Sequence, residues 1–252
     1  MLFVYNDGEI MNLYKFSTLN NEIDVCRRCK TITTGEFYCQ KFSEFNDIRE
    51  GVFTYFPNSL DVEKIRGCKN DFRISSFTDS VDNRHMWSYY ANGYKGIAIE
   101  IEVDNPKKNK HIDLSGEYSK GSSFIQKISY ITPSKLKPVN WDTNNDNSVE
   151  KQVKSILLKK ESLWRKEQEW RFLSNHGDNS QKIGKITAVY FGAPYGNITN
   201  AKSVIKNSKA LSEYMQFKKK LIDACDLEED FESTENCYDK YKLPANPDCK
   251  SS

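Results

Sequence analysis

Apolar and polar positions along the chain alternate in short runs, broken by two longer stretches of three- and four-residue spacing. Asn12-Leu13-Tyr14-Lys15-Phe16 reads as an early strand, and Arg73-Ile74-Ser75-Ser76-Phe77 as another. Asp79 to Asn83 is turn chemistry, with small polar side chains suited to binding backbone N–H groups. His85 to Tyr90 follows as a short helix, with Met86, Tyr89, Tyr90 and Gly93 on one side. Asn92-Gly93 stops it, because glycine takes the left-handed cap conformation at little cost. Gly96 to Glu102 returns as a strand. Further strands are predicted over 36–40, 52–56, 124–131, 169–173 and 186–191, with Ile32-Thr33-Thr34 joining the 36–40 segment around Gly35. Ser59 caps a short helix over 59–70 that turns Val62, Ile65 and Arg66 inward.

The two long periodic stretches predict amphipathic helices. Ser148 caps one over 148–162, where Val149, Val153, Ile156, Leu157, Lys160 and Trp164 recur at helical spacing. The second covers 201–225 and turns Val204, Ile205, Leu211, Tyr214, Met215, Leu221 and Ile222 inward, with a basic outer face through Lys202, Lys206, Lys209 and Lys218 to Lys220. Strands interspersed with two such helices predict a mixed α+β fold, mainly antiparallel sheet with both helices packed on it. One domain is expected over 1–225. From Asp223 to Asp239 there are eight acids and no base, so this stretch folds back as charge pairing or stays as a solvated tail, and 226–252 is expected to be poorly ordered. The polar connector 133–147 is the best candidate for a mobile loop.

Between Glu167 and Leu173 helical periodicity gives way to alternation. In a strand, Glu167, Glu169 and Arg171 project to one face, and Trp170 and Phe172 to the other. A Glu-Glu-Arg face backed by buried aromatics is the strongest chemical feature of the chain. A solvated, ion-paired strand face explains the same pattern about equally well.

Composition narrows the classes. The 252 residues suffice for a full hydrophobic core, and 37 basic against 35 acidic residues give a net charge of +2 that demands no polyanionic partner. No apolar run has membrane-spanning length, and the first residues lack the pattern of a signal peptide, so a cytoplasmic location is expected. Three histidines and the absence of P-loop, dinucleotide-fingerprint, zincin and nucleophile-elbow motifs disfavour hydrolases of those types. Cys26-Arg-Arg-Cys29 has zinc-ligand spacing that Cys39 and Cys68 would complete, but no second close pair exists, and free thiols are the preferred reading of the seven cysteines.

Several blocks, in order, resemble the bacterial domain-of-unknown-function family 2971. They are Leu13-Tyr14-Lys15-Phe16, Phe42 to Glu50, Asn83-Arg-His-Met-Trp-Ser-Tyr-Tyr-Ala-Asn-Gly-Tyr-Lys-Gly96, Ile128-Ser-Tyr130, Lys160 with Trp164, Glu167, Glu169, Trp170 and Arg171, and Phe191-Gly192. Ile48 stands where the family usually has proline. Shorter motifs resemble ADP-ribosyltransferases: Glu167-Gln168-Glu169 is similar to their Glu-x-Glu, Ser75-Ser76-Phe77-Thr78 to their hydroxyl-bearing strand, and Tyr14-Lys15 stands in the early strand, with lysine where that superfamily has arginine or histidine. This resemblance implies NAD as substrate, Glu169 as catalytic carboxylate, and Glu167 positioning or deprotonating a protein or nucleic-acid acceptor. It implies cofactor binding by Tyr14, Lys15, Ser75, Ser76, Phe77, Trp87, Tyr90 and Arg171, with Phe77, Trp87 or Tyr90 stacking the nicotinamide. A toxin or phage-defence effector is the implied setting.

Two other readings stay open. Asp47, Glu50, Glu100, Glu102, Glu167 and Glu169 supply carboxylates for a metal-dependent nuclease or phosphoesterase, with Lys160 or Arg171 meeting phosphate. A non-catalytic interaction or sensor module needs neither arrangement. The sequence leaves the oligomeric state open. A transferase requires Glu169 beside the 75–77 hydroxyl strand, whereas a nuclease requires carboxylates close enough to share a cation.

Overall fold

The computed structural model describes residues 10–45, 54–55, 62–105, 108–118, 121–135, 138–139, 145–194, 208–230 and 237–244. The class is α+β with largely antiparallel pairing. The chain forms two compact units, each assembled from separated stretches: 1–36, 78–104 and 184–252 in the first, 37–77 and 105–183 in the second. The candidate carboxylates Asp47 and Glu50, the Ser59 cap, most of 52–56 and the 140–144 part of the polar connector lie outside the described residues.

In the first unit Ile10–Thr18 runs antiparallel to Gly96–Asp104 from Ile10 opposite Asp104 to Thr18 opposite Gly96. Lys185–Gly192 pairs with the other edge of Gly96–Asp104. Tyr238–Lys242 follows, then Glu228–Glu229. Gly96–Asp104 is buried at nearly every position, which explains its unbroken apolar character. Gly96 itself is required by close approach, since a Cβ there would run into the Ser17 carbonyl oxygen and Ala91.

Two segments of this unit differ from the pattern-based expectation. Ile32-Thr33-Thr34, expected as strand, ends the helix Glu22–Thr34. The helix wins because Asn21 caps it, its side chain accepting the Asp24 N–H at 2.9 Å, and because Val25 and Ile32 fall on its buried side. The second long helix is described over Lys209–Cys225; residues 201–207 lie outside the described residues. Lys218, expected on the outer basic face, is instead buried over the rings of Phe191 and Tyr241 and donates to Asp239 at 2.5 Å. Lys240 and Lys242 likewise pair with Asp230. The described acids Asp230 and Asp239 are therefore charge-paired, and Tyr238–Lys242, expected to be poorly ordered, is strand.

In the second unit the strand order is Arg73–Thr78, Glu169–Ser174, Ser123–Lys127, His111–Asp113. The helices Val62–Asp71 and Asp146–Leu157 pack there through Ile65, Phe72, Val149, Val153, Ile156 and Leu157. Arg66, expected inward, is exposed and pairs with Glu63. The predicted strand 124–131 breaks at Ile128, and its second half, Ser129–Ile131, pairs in parallel with Lys159–Glu161. The helix expected to reach residue 162 therefore stops at Leu157. The Leu158 carbonyl accepts the Ser129 N–H at 2.9 Å, so strand pairing displaces the next helical turn. Lys160, at helical spacing in the sequence, is in the strand Lys159–Glu161, and Trp164 belongs to a separate 3₁₀ helix over Ser162–Glu167.

Candidate functional site

The chemistry-bearing residues of the second unit converge at the start of Glu169–Ser174, a strand buried at all six positions. Glu167 is not part of it. It ends a 3₁₀ helix over Ser162–Glu167, and Gln168 turns the chain in the left-handed region at φ 50°. The expected three-residue strand face is thus two residues, Glu169 and Arg171, and Glu167 reaches the same cluster from the preceding turn.

Glu169 is held from four directions. Its Oε1 accepts from Arg171 Nε at 2.8 Å, Arg171 Nη2 at 2.6 Å and Ser76 Oγ at 2.6 Å. Its Oε2 accepts from Lys160 Nζ at 3.2 Å, and the same ammonium donates to Glu167 Oε2 at 2.6 Å. The Glu169 backbone N–H donates to the Tyr130 hydroxyl at 2.8 Å. Arg171 Nη1 donates to the Leu157 carbonyl at 2.5 Å, and its guanidinium lies 5.5 Å over the Phe45 ring. The premature end of the 146–157 helix builds this arrangement: it frees the Leu157 carbonyl and delivers Lys160 on a short strand.

The cluster is dry and charge-balanced. Glu167, Glu169 and Arg171 are 2%, 3% and 1% exposed, and two carboxylates face two cations. Burial alone raises the Glu169 carboxyl, but the Arg171 and Lys160 cations and the Ser76 hydroxyl outweigh it and hold the group well below the usual carboxylate range. Burial, with the Glu169 and Glu167 charges behind it, pushes the Tyr130 phenol up to about 12. The result is a fixed anion beside a neutral phenol.

Of the sequence-predicted residues, Ser76, Glu167, Glu169 and Arg171 are brought together. Ser75 and Phe77 belong to the same strand as Ser76 but project to the opposite side, where Phe77 meets Phe37 edge-on at 5.5 Å. Tyr14, Lys15, Trp87 and Tyr90 belong to the first unit. Tyr14 lies edge-on to Tyr190 at 5.9 Å; burial and then the Glu100 charge raise its phenol. Glu100 also accepts from Tyr190 and Thr187 at 2.9 and 2.7 Å. Lys15 follows on the opposite face of the strand, in register with Ile99. Trp87 has both faces occupied, stacked on Tyr94 at 5.4 Å and Tyr238 at 5.7 Å, and donates to the Val81 carbonyl at 2.7 Å. Trp87 is 1% exposed, whereas Tyr90 is 39% exposed.

Lys160 and Tyr130 complete the cluster; Lys160 was expected beside these carboxylates only in the phosphoesterase reading, and Tyr130 was not assigned to the site from the sequence. Their signal lay in the blocks Ile128-Ser-Tyr130 and Lys160 to Trp164, where helical spacing suggested packing instead. Glu100 and Glu102 are in the first unit, and among the described residues no group of three or more His, Cys, Asp or Glu is placed to hold a metal ion. Among them, Cys26, Cys29, Cys39, Cys68, Cys225 and Cys237 form no disulfide. No described helix is long and apolar enough to cross a membrane.

The stretch from the Met86-Trp87 pair to Phe172 carries most of this geometry, and it is this stretch that a known family recognises. Residues 86–172 match DUF2971, a family described as a protein of unknown function. The DUF2971 match takes in Tyr130, Lys160, Glu167, Glu169 and Arg171 and leaves out Ser76 and the early Leu13–Phe16 block. No curated protein and no solved structure matches the chain.

Proposed function

We propose that the protein is an ADP-ribosyltransferase that uses NAD as donor and modifies a protein or nucleic acid, as a toxin or phage-defence effector. The observation that carries this reading is the 2.6 Å hydrogen bond from Ser76 to Glu169, which joins the hydroxyl-bearing strand to the late carboxylate. Cleavage of the bond between nicotinamide and ribose sends the bonding electron pair to nicotinamide and leaves oxocarbenium character on the sugar. An ionised carboxylate fixed before the reaction stabilises that charge without reorganising. Glu169 meets the requirement because Arg171 and Lys160 keep it ionised. Glu167, tied to it through Lys160, is the group to accept a proton from the attacking acceptor.

One observation favours a second reading. Both oxygens of Glu169 are engaged by protein donors and only 3% of the residue is exposed, as in a structural ion cluster of a non-catalytic interaction module. The two readings separate on NAD labelled in the adenylate portion, incubated with the protein and with lysate or nucleic acid. Label transferred to a macromolecule, and lost in Glu169→Gln while the fold persists, supports the transferase. No nicotinamide release and no thermal shift with NAD refutes it and leaves the interaction module.

A further inference from the structure

The helices Glu22–Thr34 and Lys209–Cys225 pack together within the first unit, and their contact carries two thiols. Cys29 Sγ approaches the carbonyl oxygen of Ala224 at 4.0 Å, and its thiol is near enough to raise that of Cys225, the next residue along, after burial. The ion pair of Lys220 with Glu22 fixes the same two helices relative to each other one to two turns away, so the thiols meet on a braced contact. Both cysteines are free; Cys29 is half-buried and Cys225 buried. A braced pair of facing thiols, one of them open to a small reagent, has the arrangement that disulfide chemistry needs.

We propose that Cys29 and Cys225 form an oxidative modification site, converted by hydroperoxide into a disulfide that fastens the 22–34 helix to the 209–225 helix. The Cys29 thiolate attacks one peroxide oxygen: an S–O bond forms, the O–O bond breaks, and the other oxygen leaves as water or alcohol. The Cys225 sulfur then attacks the Cys29 sulfenic acid. An S–S bond forms, the S–O bond breaks, and a second water carries away the hydroxyl with the Cys225 proton. Two thiols lose two electrons, and the hydroperoxide gains them. The order of attack follows from exposure: half-buried Cys29 meets the hydroperoxide first, and buried Cys225, whose thiol is raised by burial and then by the neighbouring Cys29 thiol, is shielded from it and gives up its proton only as it attacks the sulfenic sulfur. Cys26 sits one turn before Cys29 on the same helix and is exposed, and Cys237 is exposed as well. They are the competing thiols against which selectivity is judged.

The cross-link closes most of the chain into one loop, so it restricts the unfolded state strongly. The test treats the full-length protein with hydrogen peroxide, blocks remaining thiols with N-ethylmaleimide, and maps peptides by mass spectrometry. The expected product is a Cys29–Cys225 cross-linked peptide two hydrogens short of its parts, with a rise in Tm of several degrees that dithiothreitol reverses. Cys225→Ser should stop the reaction at a Cys29 sulfenic acid trapped by dimedone, and Cys29→Ser should leave Cys225 reduced. Pairing of Cys26 with Cys29, oxidation confined to Cys26 and Cys237, or Cys29 sulfenic acid that persists in the unaltered protein would each overturn the proposal.

Discussion

Ser76 and Glu169 lie 93 positions apart in the chain and share a 2.6 Å hydrogen bond on neighbouring strands. Glu169 keeps three further nitrogen contacts when that hydroxyl is removed. Ser76→Ala is therefore expected to cost about 1–3 kcal/mol, the range for a hydrogen bond to a charged group, and to leave the fold intact. Urea denaturation measures this. In the transferase reading the same substitution lowers NAD turnover in folded protein, which a purely structural hydroxyl would not do.

Arg171 is the larger contributor. Its fork makes two bonds to one carboxylate oxygen and a third to the Leu157 carbonyl. Arg171→Leu removes the guanidinium that pairs with buried Glu169 and should cost about 3–5 kcal/mol. Arg171→Lys keeps the charge but loses the paired geometry, so it should fall between the leucine variant and the native protein. Chemical denaturation midpoints that rank lysine with leucine would show that geometry, not charge, decides the loss.

Acid should act through Glu169. Its folded carboxyl titrates below the ordinary value of 4.5, so the folded chain resists protonation more than the unfolded chain. The stability it contributes is complete above the unfolded value and is lost as pH falls through the depressed folded value. Between pH 5 and about 2 the native protein should lose stability faster than Glu169→Gln, by a slope of up to about 1.4 kcal/mol per pH unit. Equal slopes would assign the acid sensitivity to other carboxylates.

Gly96→Ala tests the tight junction of the first unit. The added Cβ meets backbone at Ser17 and Ala91, where no flexible side chain can move aside. A loss of about 1–3 kcal/mol is expected from overpacking, seen as a lower Tm. Gly35→Ala is a contrasting control, since nothing lies within 4 Å of a Cβ there and its cost comes from its φ of 71° alone.

How much was legible in advance divides by physical cause. The strands Ile10–Thr18, Arg73–Thr78, Gly96–Asp104 and Lys185–Gly192 and the 84–89 helix carried local patterns that tertiary packing did not override. The 146–157 helix ended early because its last expected turn is recruited by the Ser129–Ile131 strand, a partner distant in sequence. Glu169 and Arg171 were readable as a face because alternation is local. Lys160 was hidden within helical spacing, and Tyr130 acts through its hydroxyl on a backbone N–H, which no side-chain pattern records. The stacking of Trp87 on Tyr94 and Tyr238 was not legible either, because an aromatic-rich stretch looks alike whether its rings stack on one another or on a ligand.

The interleaving of the two units sets an order on their completion during synthesis. The last stretch of the second unit ends at residue 183, whereas the first unit still lacks Lys185–Gly192 and Tyr238–Lys242 at that moment. Its Gly96–Asp104 strand, buried at nearly every position, is then paired only on the Ile10–Thr18 side. A ribosome stalled between residues 104 and 185 releases a chain with an open, sticky strand edge. Premature termination is therefore more damaging here than in a protein whose halves are consecutive, and nascent chains of this protein should be strong clients of ribosome-associated chaperones.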